Sequence, residues 1–264
     1  MMRKPVITHM VLSFPNAVLK EDMLQERDSL YMLDERRMLA ETTWDSIAES
    51  FDSTRRKPWQ QCIDFISTLP QNAVVVDLGC GNGRHLIPCA QHGQQVIGVD
   101  VSLKLLHITR KKLDEHQIVE DVLLHADLVH LPLKDNTIDA GLYIASLHNI
   151  QGRQARVHSL QELYRILRPG GKALLSVWSR WQKAYRWYFL KEWFKWEKNQ
   201  EFGDINIYWR QHRLNIPRFY HLYSKQEFMR DIVDAGFHIE AIQAESLQAQ
   251  GCRDNFFCTV LKKP

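Results

Sequence analysis

Cysteine is scarce in this chain of 264 residues: the five present (Cys62, Cys80, Cys89, Cys252 and Cys258) are odd in number, widely spaced and never arranged C-x-x-C. That pattern argues against a disulfide framework and against a zinc ribbon, so no metal site is expected and a reducing, cytoplasmic setting fits best. No stretch approaches the roughly 18 uninterrupted apolar residues that cross a bilayer, so neither a spanning helix nor a membrane partner is expected. Internal repeats and low-complexity tracts are also absent. With 45% hydrophobic and 25% charged residues, the chain has the composition of a globular protein rather than a disordered one. One large domain, or one domain with an appendage, is the expected organisation.

The formal net charge is only +3, but it is unevenly distributed. From Trp178 to Arg230 there are eleven Lys or Arg against five Asp or Glu, so the rest of the chain is net acidic. The same segment holds six of the eight tryptophans and five of the eight tyrosines. Basic and aromatic residues therefore coincide in one stretch.

The first twenty residues contain Arg3, Lys4 and Lys20 and no acid. A transit segment and a loosely attached extension both fit, and the helix-limiting prolines Pro5 and Pro15 favour an extension over residues 1–27. Three- and four-residue apolar steps between Asp28 and Phe51 predict helix, and Pro58 is placed to open another over Trp59 to Leu69. After Pro70 the pattern alternates strand and helix. Strands are predicted over Ala73–Leu78, Gln95–Asp100, Val122–Ala126, Ile138–Ser146 and Lys172–Trp178. The helices between them are Arg84–His92, Ser102–His116 and Arg153–Leu167. This βαβ series implies a parallel sheet covered on both faces, an α/β fold. Residues 179–217 interrupt the series with the basic aromatic stretch. A helix over Ser224–Ala235, stopped by Gly236, and strands over Phe237–Ala244 and Asn255–Leu261 complete the domain, which is read as 28–264.

The most specific local signal is Asp77-Leu78-Gly79-Cys80-Gly81-Asn82-Gly83-Arg84. A strand ending in closely spaced glycines and feeding a helix lets a ligand approach bare backbone at a helix start. The spacing does not match G-x-G-x-x-G, because Arg84 stands where a dinucleotide site needs its third glycine. Asp77 would repel a pyrophosphate and attract an ammonium group. Asp100 closes the second strand, where a carboxylate can accept from a ribose diol, and Asp127 follows the third, placed to accept from an adenine amino group.

Together with Leu167-Arg168-Pro169-Gly170-Gly171-Lys172, these features resemble class I S-adenosylmethionine (SAM)-dependent methyltransferases over about residues 44–262. The resemblance implies a Rossmann-like, seven-stranded, mostly parallel sheet in the order 3-2-1-4-5-7-6, with helices on both faces. It assigns Asp77, Gly79, Cys80, Gly81, Gly83, Asp100, Val101, Asp127, Leu128 and Ala145 to SAM.

Four separated segments narrow the resemblance: Thr54-Arg55-Arg56-Lys57-Pro58-Trp59, Asp77 to Arg84, Ile144 to His148, and Arg218-Phe219-Tyr220-His221-Leu222-Tyr223. In this order they resemble the family of tRNA wobble-uridine carboxymethyl methyltransferases. Asn149 stands where that family usually has a second histidine, and Ile150 stands in place of an aromatic.

The resemblance implies an enzyme that methylates the carboxylate of 5-carboxymethyluridine in the tRNA anticodon loop, with a small zinc-binding activator protein as partner. Arg55 and His148 are the expected catalytic residues. Arg56, Lys57, Trp59, Arg218, Tyr220, His221 and Tyr223 are the expected substrate-binding ones. Blander readings stay open: a solvated cluster for Arg55 to Lys57, a core histidine for His148, and a lid core rather than stacking platforms for the tryptophans. The competing functions are a small-molecule methyltransferase, acting on a quinone precursor or a carboxylic acid, and a non-catalytic SAM-fold RNA- or partner-binding module.

Overall fold

Val74-Val75-Val76 opens the first strand because β-branched side chains suit a pleated surface buried on both faces. The computed structural model describes residues 30–119, 121–193, 201–245 and 255–263. The expected 1–27 extension, Trp196 and Cys252 lie outside them.

Two helices, α1 (Leu30–Thr54) and α2 (Gln60–Ser67), precede the alternating series β1 (Val74–Leu78), α3 (Leu86–Gln91), β2 (Gln95–Asp100), α4 (Leu103–Glu115), β3 (Asp121–His125), β4 (Ile138–Ile144), α5 (Arg153–Ile166) and β5 (Leu167–Trp178). Then follow α6 (Arg186–Glu192), β6 (Asp204–Trp209), β7 (Ile216–His221), α7 (Lys225–Asp234), β8 (His238–Glu245) and β9 (Asn255–Leu261). The main sheet has seven strands in the order β3-β2-β1-β4-β5-β9-β8. Strand β9 runs antiparallel to both neighbours, so the order read from the sequence holds once the two hairpin strands are set aside.

Buried apolar side chains form a cluster on each face of the sheet, one under α5 and α7 and one under α2 and α3. Ser102 caps α4 as expected, its Oγ accepting from Leu105 N at 3.2 Å. That hydroxyl also donates to Asp45 of α1 at 2.6 Å, and Asp45 accepts from Lys104 N at 3.0 Å. A carboxylate at the α4 N-terminus thus ties α1 across the carboxyl ends of the strands.

Three predicted elements differ from those observed. Strand β5 starts at Leu167 rather than Lys172, because Leu167 pairs with Ile138 before the register shifts through Pro169-Gly170-Gly171. Helix α3 begins at Leu86, since Gly83 holds φ +78° and Arg84 and His85 complete the turn. Within 179–217, the segment read as an interruption, lie α6, the whole of β6 and the start of β7. Strands β6 and β7 form an antiparallel hairpin that pairs Asp204 with His221 and Trp209 with Ile216. The hairpin stands apart from the main sheet.

Candidate active site

A cavity of about 530 Å3 opens at the carboxyl ends of β1, β2 and β4, walled by the glycine turn on one side and by α1 and the hairpin on the other. Ligands of open α/β sheets sit at this place.

The glycine turn builds the first wall. Gly79 and Gly81 hold φ +74° and +56°, where side chains are strained. A Cβ on Gly79 would lie 2.2 Å from Ser146 Oγ. At Gly81 a Cβ would meet only Phe51, at 3.6 Å, so its backbone is bare toward the cavity. Cys80, Asp100, Val101, Asp127, Leu128 and Ala145 also line this wall, as the sequence predicts. Asp100 accepts from Gly81 N and Ser102 N, both at 2.8 Å, one bond to each oxygen. Each oxygen keeps a lone pair for a diol. Burial pushes the Asp100 carboxyl up to about 6, the two backbone donors opposing.

Two predicted cofactor residues stand behind this wall rather than in it. Gly83 faces Thr109, 2.9 Å from where its Cβ would be, and serves the turn itself. Asp77 is buried, with one oxygen lacking any partner among the described residues. Burial and the nearby Asp100 push its carboxyl up to about 7, Arg84 opposing. Burial, Asp100 and Asp77 hold the Cys80 thiol well above its ordinary range, so it is no thiolate nucleophile.

The second wall carries the cations. Arg55, Trp59, His148, Arg218 and Tyr220 all line it. The guanidiniums of Arg55 and Arg218 stand over the same Trp209 ring, 5.5 and 4.9 Å from its centroid. Arg218 is buried, with its guanidinium also over Tyr220 at 5.0 Å and Trp44 at 5.5 Å. Among the described residues no carboxylate pairs with Arg218, and its Nε has no partner. Burial lowers its pKa, with Tyr220 opposing and Arg55 adding to the shift. Its Nη1 donates to the Tyr220 hydroxyl.

Asn82 holds Arg55 in place, donating from Nδ2 to Asp52 at 2.7 Å and to the Arg55 carbonyl at 2.9 Å. The Thr54-Arg55 segment is thereby fastened to the glycine turn.

His148 is buried, and its Nδ1 accepts from Trp178 N at 3.2 Å. The proton of the neutral ring therefore sits on Nε2, which is a donor. Burial, with Arg218 and His221 nearby, pushes the ring down to about 3, so it stays neutral at physiological pH. It stacks on Tyr220 with centroids 5.2 Å apart, and Tyr220 stacks on Trp178 at 5.1 Å.

The remaining residues expected to bind substrate lie outside the cavity lining. Arg56 and Lys57 lie outside the cavity lining and point to the solvent side of the α1–α2 connection. His221 is fully buried away from the cavity, with Nδ1 2.7 Å from Asp204 and Nε2 3.0 Å from Glu227. It follows Tyr220 in β7, so it faces the opposite side of the strand. Tyr223 is buried too, donating to Asp231 at 3.3 Å beneath the guanidinium of Arg156. Glu201, Asp204 and His221 form a group with possible metal ligands. Here His221 is engaged by carboxylates through both nitrogens, and Glu201 pairs with Arg156.

Sequence reasoning missed Trp209, Trp44, Ser146 and Arg84 as cavity residues. Arg84 was given no place in the site beyond closing the glycine motif, yet its guanidinium lies 4.8 Å over Trp59 and burial lowers its pKa to about 10, leaving it charged. The signal for Trp209 was available, since Ile205, Ile207 and Trp209 alternate as a half-buried strand does.

The residues present fit SAM. A bare backbone turn, an acid with free lone pairs, a buried carboxyl oxygen without a partner and the cavity acid Asp127 suit a nucleoside carrying positive charge. A methyltransferase-domain family model matches residues 76–175, which carry the glycine turn, Asp100, Asp127 and His148. Fold and site together define a class I SAM-dependent methyltransferase. The tRNA (carboxymethyluridine(34)-5-O)-methyltransferase of Schizosaccharomyces pombe is 30% identical over 205 residues, covering 73% of this chain and 86% of that one. The chain belongs to this methyltransferase family. The tRNA (carboxymethyluridine(34)-5-O)-methyltransferase ALKBH8 of Mus musculus is 36% identical over 140 residues, 53% of this chain. This chain spans only 20% of that relative's length. Among solved structures, a Haloferax volcanii methyltransferase in complex with the Trm112 methyltransferase activator is 17% identical with a TM-score of 0.60, covering 85% of this chain and 98% of that one. That likeness shows the fold. No helix among the described residues is long and apolar enough to cross a membrane.

Proposed function

We propose that this chain transfers a methyl group from SAM to the carboxylate of 5-carboxymethyluridine at the wobble position of tRNA, forming the methyl ester. The observation that carries this reading is Arg218, a buried guanidinium facing the cavity with no carboxylate partner among the described residues. Burying an uncompensated cation is costly, so the arrangement suits an anionic ligand. The names of the family's members supply the identity of that anion.

SAM, when bound, supplies an electrophilic methyl on a sulfonium. Asp100 would hold the ribose and Asp127 the adenine amino group, with Val101, Leu128 and Ala145 around them. A carboxylate with a pKa of roughly 4 is already ionised at neutral pH and needs no general base. A neutral His148 and a protonated Cys80 are consistent with that economy. Catalysis then rests on positioning. Arg55 and Arg218 hold the oxygen that does not attack, because a grip on the attacking oxygen would lower its reactivity. His148 donates from Nε2 to the base or to the same carboxylate. Pro58-Trp59, with Arg84 over the indole, supports the cofactor side of Arg55.

An activator partner of the Trm112 type is part of the proposal, supported by the Haloferax complex of the same fold. So are the extension over 1–27, the methyltransferase domain over 28–264 with its basic aromatic insertion at about 179–217, and a cytoplasmic setting, in keeping with free, buried Cys62, Cys80, Cys89 and Cys258.

Transfer from labelled SAM to tRNA bearing 5-carboxymethyluridine, with the activator present, tests the reading. Label in the wobble nucleoside as an alkali-labile ester is expected. Label on free 5-carboxymethyluridine or other small carboxylic acids, with none on tRNA, would point to a small-molecule enzyme instead.

A further inference from the structure

The described tryptophans of the basic aromatic stretch divide into two groups. Trp178 and Trp209 face the cavity, as a lid core would. Trp181, Trp187 and Trp193 do not: they are 43%, 62% and 64% exposed, and Tyr188 and Leu190 beside them are also exposed. Exposed apolar groups gathered on one short helix and its flanks mark a contact surface.

We infer that the outer face of α6, centred on Trp187, Leu190 and Lys191, is a docking surface for unpaired nucleotides of the substrate RNA. The inference rests on the proposed RNA substrate, and charge and aromatic character together select this occupant. Lys183, Arg186 and Lys191 are exposed beside the aromatics, and among the described residues none of the three pairs with a carboxylate. Trp187 and Lys191 are four residues apart and share a helix face, so a base can stack where the adjoining phosphate meets a cation. The Arg186 guanidinium lies 5.6 Å from the Trp187 ring centroid, so a cation already sits beside the aromatic platform. The opposite face is anchored: Phe189 is buried in a cluster with Tyr220 and Leu222, and Trp178 packs against that cluster. Tyr220 and Trp178 line the cavity, so the inner face of α6 packs on the back of its wall.

Binding alone tests the surface, separately from methyl transfer. The probes are a fluorescent RNA hairpin with an unpaired loop and a blunt RNA duplex, both read by anisotropy over a salt series. Trp187→Ala is expected to weaken hairpin binding about five- to a hundredfold and duplex binding far less. Lys191→Gln is expected to lower the slope of log affinity against log salt by about 0.7. Both variants should bind S-adenosylhomocysteine as the parent chain does, because neither residue touches the cavity. Unchanged hairpin affinity in both variants overturns the inference. So does an equal loss for hairpin and duplex in Trp187→Ala, or a wild-type dimer that Trp187→Ala dissociates. A wild-type chain that binds the hairpin with this dependence but methylates no carboxymethyluridine tRNA supports the surface and sinks the proposed reaction.

Discussion

The two walls of the cavity are built in opposite ways. The cofactor wall is acidic and mostly backbone: Asp100 is bonded to Gly81 N and Ser102 N, Asp127 to Val129 N, and Asp77 lies buried behind them. The proposed acceptor wall is cationic and made of side chains: Arg55 and Arg218 over Trp209, with His148 stacked on Tyr220. One wall suits a positively charged donor and the other a negatively charged acceptor. A cavity with both polarities brings an electrophile and a nucleophile together through fields that already point the right way.

The strongest way to break the comparison is to remove the buried cation. Arg218→Met keeps most of the volume and removes the charge. It is expected to lower kcat/KM for tRNA by about a hundred- to a thousandfold while leaving S-adenosylhomocysteine affinity unchanged. Because burial disfavours the charged form of Arg218, this variant should melt no lower than the parent. Arg55→Ala should likewise abolish transfer and spare cofactor binding. If Arg218→Met melts well below the parent and also loses cofactor, the guanidinium holds the two walls together and is no anion receptor.

The walls also differ in how legible they were. The cofactor wall follows from one contiguous stretch and two strand ends, so β1, the glycine turn, Asp100 and Asp127 could be read locally. The acceptor wall is assembled from α1, the turn after β4 and a hairpin distant in sequence. Its motifs indicate which residues occur together and say nothing of which face each one takes. Arg218 and Tyr220 reach the cavity, whereas His221, the next residue along β7, turns into the ion network of Asp204 and Glu227. The hairpin itself was hidden because its aromatic and basic residues dominate the composition and mask a period-two alternation. Within the glycine turn, Gly83 packs on Thr109 and lies outside the cavity lining, which the motif alone does not reveal.

A pH series sharpens the contrast, because the acidic wall titrates near neutrality. Asp100 and Asp77 are held up at about 6 and about 7. Positive charge on bound SAM favours both ionised acids, so its affinity should rise with pH through this window, by up to about tenfold per unit between the two values and up to about a hundredfold per unit below the lower. The two carboxyls push the stability of the ligand-free chain the other way, against the buried histidines His85 and His148. Carboxyls with raised folded-state values stabilise the fold at low pH, and that contribution is lost progressively as pH rises from their ordinary value of 3.8 up to about 6 and about 7. Calorimetric titration of SAM and thermal melts from pH 5 to 8 measure the two trends. Asp100→Asn should flatten much of the affinity trend. A flat affinity in the parent would mean that neither acid contacts or senses the cofactor. His148 stays neutral in the fold and adds nothing to the affinity trend, but the unfolded chain protonates it below about 6.5, so it makes stability rise with pH toward that value and opposes the carboxyls.

The smallest expected effect lies where the walls join. Asn82 belongs to the glycine turn, yet its side chain serves the other wall, binding Asp52 and the Arg55 carbonyl. Asp52 in turn pairs with Lys112 of α4, so the chain around Arg55 is tied both to the turn and to a helix. Asn82→Ala removes two hydrogen bonds at a buried site, each with a net worth of about 1 kcal/mol, and leaves the Lys112 tie intact. Arg55 should therefore wander rather than leave, raising KM for tRNA by about threefold to tenfold with little change in kcat at saturation. S-adenosylhomocysteine affinity should hold, because the Gly79 and Gly81 backbone is fixed by Val99 O and Asp100 rather than by Asn82. An equal loss of cofactor affinity in Asn82→Ala would mean that the two walls are one cooperative unit. The separation of acidic and basic roles would then describe charge but not mechanics.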